Sequence, residues 1–148
     1  MCTTAASLTT RSCSRRNNLT LVGGVSVVIV EDNRVFRETL ELMLGLRREI
    51  TVVGSVDGGL AAVQVCAELQ PDVVLIDYRM PGMDGAEATR EVLLASPRSS
   101  VVCLTASISH AEVSHVLAAG AVACLTKDRD LDSIVNAIHA AAARPSLA

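Results

Sequence analysis

At 148 residues the chain is the size of one domain, long enough to bury a single core without disulfide or metal staples. Half of its residues are apolar and 20% are charged, a globular rather than disordered composition, and a formal net charge of -3 argues against a polyanion-binding surface. With one Phe, one Tyr and no Trp, it also lacks the aromatic platforms on which single-stranded nucleic acid stacks, so no direct nucleic-acid binding is expected.

Residues 1–24 carry three arginines, no acid and much Ser, Thr and Asn, without an apolar stretch of signal-peptide or membrane-span length. They read as a disordered tail with no function of their own. From Val25 onward, apolar runs of strand length alternate with segments of helical period, the mark of parallel strands joined by crossover helices. The expected strands are VSVVIV (25–30), ITVVGSV (50–56), DVVLID (72–77), SVVCLT (100–105) and VACLT (122–126). Several are apolar on both faces, which requires a sheet covered on both sides. The expected helices span 34–46, 59–69, 86–95, 109–119 and 131–143. Phe36, Leu40, Met43 and Leu44 share one face of the first, and Leu131, Ile134, Val135 and Ile138 one face of the last. Asp32 or Asn33 is placed to cap the first helix and Asp84 the third, while Gly120 ends the fourth.

This is a five-stranded, doubly wound α/β domain over 25–143, followed by a short tail at 144–148. Five cysteines, an odd number without a CxxC pair, read as buried inert thiols in a reducing cytoplasmic setting. His110, His115 and His139 are spaced too widely for a metal pair and read as structural or exposed.

Ligands of such sheets bind at the carboxyl ends of the strands. Those ends carry Glu31 and Asp32, Asp77, Thr105 and Lys127. Clustered carboxylates repel one another and are costly to bury without a cation. A hard divalent ion such as Mg²⁺ relieves that conflict with oxygen ligands and favours sites that also hold phosphate. Lys127 is the only lysine among 13 basic residues; its compact ammonium suits a phosphoryl oxygen or a carboxylate where a guanidinium fork does not fit.

The segments VVIVEDN, PDVVLIDYRMPGMDG, VVCLTA and GAVACLTKD, in this order and spacing, resemble the receiver domain of bacterial two-component response regulators. The resemblance implies a flavodoxin-like fold with strand order 2-1-3-4-5 and five helices. It implies that Asp77 accepts a phosphoryl group from a phosphohistidine on a sensor histidine kinase or histidine phosphotransfer protein. By the same resemblance Glu31, Asp32, Asp77 and the backbone carbonyl of Arg79 bind Mg²⁺, Thr105 bonds the phosphoryl group and Lys127 neutralises it. The implied protein is a cytoplasmic signalling switch rather than an enzyme, acting through a protein-interaction face, with a homodimer open as its assembly and no membrane partner.

Two departures from the family pattern are visible. Cys124 stands where many receivers carry a switching aromatic three residues before the lysine, and TKDRDLDSI lacks the common Lys-Pro pair. That last segment resembles receivers joined to helix-turn-helix DNA-binding domains, so the chain reads as a stand-alone receiver or as the receiver of a longer regulator. Two rival readings compete. An aspartyl-nucleophile phosphohydrolase needs a second acid two residues past Asp77, where Arg79 stands. A phosphorylation-independent interaction module would have no need of the acids, the hydroxyl and the lysine together.

Overall fold

A computed structural model describes residues 24–107 and 109–144. The tails expected at 1–24 and 144–148 lie outside these residues, apart from Gly24 and Arg144. Five parallel strands form one sheet: β1 Val25–Val30, β2 Ile50–Val56, β3 Val73–Asp77, β4 Ser100–Thr105 and β5 Ala123–Thr126. Their order is β2-β1-β3-β4-β5. Between and after them run α1 Arg34–Gly45, α2 Gly59–Leu69, α3 Gly85–Ala95, α4 His110–Ala118 and α5 Leu131–Ala142. The expected elements are all present, with ends shifted by a residue in several.

The two-residue period of a strand divides β1 between two cores. Val27 and Ile29 pack with Leu40 and Leu44 of α1 and with Ile134, Val135 and Ile138 of α5. Val28 and Val30 pack with Ala62 and Cys66 of α2, Val92 of α3 and Val116 of α4. All five residues of β3 are buried, as are five of six in β1 and in β4. The edge strands β2 and β5 are only partly covered. Met43, read from the sequence as a core residue of α1, is 36% exposed; Leu40 and Leu44 alone are fully buried on that helix.

Four of the five helices described, all but α2, start after a short polar side chain that accepts from a free amide of the first turn. Asn33 Oδ1 accepts from Phe36 N at 2.9 Å to open α1, and Asp84 Oδ1 accepts from Glu87 N at 2.8 Å to open α3. Strand order reverses between β1 and β3, and in an open α/β sheet that switch point leaves a crevice at the strand ends. Glu31 follows β1 and Asp77 ends β3, on either side of it.

The loop from Asp77 to α3 is shaped by two glycines. Gly82, behind Pro81, has φ +85°, the conformation of the third residue of a type II turn. Gly85 donates its N–H to the Tyr78 carbonyl at 2.6 Å. A Cβ at Gly85 would lie 2.6 Å from Tyr78 Cα and 2.8 Å from the Asp77 carbonyl oxygen, so only glycine permits this close approach.

Candidate functional site

At the carboxyl edge of the sheet, Glu31, Asp32 and Asp77 each place a carboxylate oxygen within 4.8 Å of the others. Glu31 and Asp77 are buried, at 2% and 5% exposure, while Asp32 is exposed. Lys127, which follows β5, reaches across the strand ends to join them. Its Nζ lies 2.8 Å from Glu31 Oε1, 3.0 Å from Glu31 Oε2 and 3.4 Å from Asp77 Oδ2. The Lys127 amide donates to the Thr105 carbonyl at 2.8 Å, which fixes the start of this reach against β4.

Several residues to which the sequence assigns no role at the site hold the cluster in place. Asn33 N–H donates to Glu31 Oε2 at 3.1 Å, and Arg37 Nη1 donates to the Glu31 carbonyl at 2.7 Å. Phe36 lies with its ring centroid 4.8 Å from the Lys127 ammonium, a cation–π contact on its apolar side. Phe36 and Arg37 fall on α1 at positions that periodicity assigns to packing and to solvent, so only the fold brings them here. Asn33 was legible as a cap, and its capping role and its amide contact to Glu31 coincide.

The electrostatics are those of an anionic pocket short of positive charge. Burial, and then the neighbouring charge of Glu31, push the Asp77 carboxyl up to about 7, against the pull of Lys127. Burial works against the charge of Lys127, but its hydrogen bond to Glu31 and the charge of Asp77 outweigh that, and the ammonium is held above its ordinary value. When all three acids ionise, one ammonium leaves two negative charges unmatched. The donor set is wholly oxygen, without His or Cys, and the exposed Asp32 leaves room for water on the ion. These properties fit a hard dication of the Mg²⁺ type rather than a soft metal.

Thr105 ends β4 and is 1% exposed. Its hydroxyl donates to the Ser107 carbonyl at 3.0 Å. The Arg79 side chain leaves the cluster for Glu112 on α4, so this residue has only its main chain to offer at the site. Among the cysteines, Cys66 and Cys103 are buried and Cys124 is half-buried. Burial pushes the Cys66 thiol up to about 12 and raises Cys103 and Cys124 as well, the behaviour of packed thiols rather than nucleophiles. His115, read as structural or exposed, is hydrogen-bonded through Nδ1 to the Tyr78 hydroxyl. Among the described residues no helix is long and apolar enough to cross a membrane.

Residues 27–139 match the family model of the response regulator receiver domain. The chain belongs to the receiver domain family of two-component response regulators. It is 34% identical over 118 residues to the transcriptional regulatory protein DegU of Brevibacillus brevis, covering 80% of this chain and 50% of that one. Among solved structures it is similar to the signal receiver domain of the response regulator NarL from Mycobacterium tuberculosis. That likeness has a TM-score of 0.77 and 37% identity over 82% of this chain and 99% of the other. The receiver domain of the sensor histidine kinase PA1611 from Pseudomonas aeruginosa PAO1, solved with a magnesium ion in its active-site cleft, has a TM-score of 0.69 and 28% identity. It covers 82% of this chain and 99% of that one. The receiver spans about half the length of the curated relatives it matches.

Proposed function

We propose that Asp77 is the phosphoacceptor of this receiver and that Glu31, Asp32, Asp77 and the Arg79 backbone carbonyl hold Mg²⁺ beside it. The observation that carries the reading is the buried Asp77 carboxylate, held with two further acids and 3.4 Å from the one lysine of the chain. A carboxylate oxygen of Asp77 attacks phosphorus as the P–N bond of a phosphohistidine breaks. The departing imidazole takes the electron pair and a proton, and an acyl phosphate is left on Asp77. The metal, when bound, supplies positive charge to oxygens of the transferred group. Lys127 supplies the rest from a position already set by Glu31, so little reorganisation is needed. The Thr105 hydroxyl, now spent on the Ser107 carbonyl, exchanges that acceptor for a phosphoryl oxygen and carries the loop after β4 with it.

The donor is a sensor histidine kinase or a histidine phosphotransfer protein in the cytoplasm. The output of this segment is a changed protein-contact face. Arg79 at the second position past Asp77 offers no group to shuttle a proton to water, which supports a switch that keeps its phosphoryl group over an enzyme that turns substrates over.

The test is intact-mass measurement after incubation with MgCl₂ and acetyl phosphate. The wild type gains one phosphoryl group, which is absent with EDTA and absent in Asp77→Asn. An unchanged wild-type mass, or equal uptake by Asp77→Asn, sinks the reading. Sustained release of phosphate from small monoesters would instead favour a hydrolase.

A further inference from the structure

Two side chains that follow Asp77 turn away from the carboxylates and reach α4. Arg79 places Nε and Nη2 on one oxygen of Glu112, at 3.1 and 2.9 Å. The Tyr78 hydroxyl and His115 Nδ1 are hydrogen-bonded at 2.8 Å, with the rings in edge contact at 6.2 Å. Glu112 and His115 are three residues apart, so both stand on one face of the helix. The main chain of Tyr78 is held on both sides, its N–H by the Leu104 carbonyl at 3.3 Å and its carbonyl by Gly85 N–H. Arg79, the next residue, gains its anchor through its side chain.

The second oxygen of Glu112, Oε1, is buried and has no hydrogen-bond partner among the described residues. A buried carboxylate oxygen without a donor is costly, and native structures keep few of them. Holding a mostly exposed arginine does not require that arrangement, because a surface acid would do the same without desolvation. Glu112, whose side chain is 22% exposed, thus ties α4 to the second residue past Asp77 through one carboxylate oxygen.

We propose that Glu112 is a positioning residue for the reaction site: through Arg79, and with His115 on Tyr78 beside it, it couples the setting of α4 to the chain segment that follows Asp77. This rests on the reading of Glu31, Asp32 and Asp77 as the metal-assisted phosphoacceptor site. Coupling of this kind is reciprocal, so what binds at the carboxylates resets α4, and what loosens α4 weakens binding at the carboxylates.

The experiment uses the full chain, stripped of metal, and titrates MgCl₂ while following emission from Tyr78, the only tyrosine in a chain without tryptophan. Wild type, Glu112→Ala, the isosteric Glu112→Gln, Arg79→Ala and the Glu112→Gln/Arg79→Ala double variant are compared. Hydrogen exchange of the α4 amides is read with and without the metal. Each single variant weakens apparent Mg²⁺ affinity about five-fold, and the double variant weakens it no further, since both remove one link. Metal slows α4 exchange in the wild type and not in the variants. Unchanged affinity in Glu112→Gln, or effects that multiply in the double variant, overturns the inference while the metal-site reading stands. A wild type with no saturable response overturns both.

Discussion

Replacing Asp77 by Asn should stabilise the metal-free protein, and by an amount that grows with pH. The Asp77 carboxyl is 5% exposed and is pushed from an ordinary 3.8 to about 7, first by burial and then by the charge of Glu31. In the unfolded chain it ionises near its ordinary value. Between the two values the folded state holds a proton that the unfolded state has lost. Stability therefore falls as pH rises from about 4 to about 7, by about 1.4 kcal/mol per pH unit at the steepest. The whole penalty has a ceiling of about 4 kcal/mol, fully present above pH 7 and absent below pH 4. An amide of nearly the same shape carries no such penalty and still offers Lys127 an oxygen. In EDTA, urea titrations of both proteins at pH 5 and pH 8 should show the advantage of Asp77→Asn widening by roughly 2 to 3 kcal/mol. In thermal melts, at about 3 °C per kcal/mol for a domain of this size, that is about 8 °C. Titrating groups that do not touch Asp77 are common to both proteins and cancel in the difference. Saturating MgCl₂ should then raise the wild type more than the variant and close the gap at pH 8. An advantage of the same size at pH 5 and pH 8 would refute the argument that ionised Asp77 is held against burial and its neighbours.

Further outcomes follow from the same geometry. Lys127→Met leaves Glu31 and Asp77 without their shared cation and should cost about 3 kcal/mol in metal-free urea titrations at pH 8; less than 1 kcal/mol would show the pair to be solvent-screened. Gly85→Ala forces a Cβ against the Tyr78 and Asp77 main chain and should destabilise by about 2 kcal/mol. It should also weaken Mg²⁺ binding, whereas Gly45→Ala, where a Cβ meets nothing within 4 Å, should do neither. Native protein treated with iodoacetamide at pH 8 should leave Cys66 and Cys103 unmodified, and labelling of both on mixing would contradict their burial.

The strands and helices were legible because each reports on its own residues. The apolar runs of β1, β3 and β4 needed no partner to be recognised, and the acids, the hydroxyl and the lysine stood at their ends. The end of β3 nearest Pro71 was read one residue too long. Asp72 lies one residue before β3, where its main chain still bonds the Ser26 carbonyl and the Ser100 N–H at 3.0 Å, and its carboxylate accepts from Ser26 N and Oγ at 2.9 and 3.0 Å. Met43 follows the period of α1, yet only Leu40 and Leu44 of that helix are fully buried. The contacts of Tyr78 with His115 and of Arg79 with Glu112 join residues 37 and 33 positions apart. No periodicity or spacing rule marks such pairs, because nothing local in the chain depends on them. Phe36 shows a further limit. It reads as core by its period, and the fold uses the same ring as a floor for an ammonium.

The division of β1 between two cores has a consequence for how this chain can vary. Val27 and Ile29 serve one layer and Val28 and Val30 the other, with Glu31 one step beyond. Sliding the strand by a single residue would exchange the two layers and carry Glu31 away from Lys127 at the same moment. The strand thus works as a ruler whose zero is set by packing and whose tip is the pocket. Insertions and deletions should be tolerated in the turns of the opposite edge and purged from β1, even where the added residue is another valine.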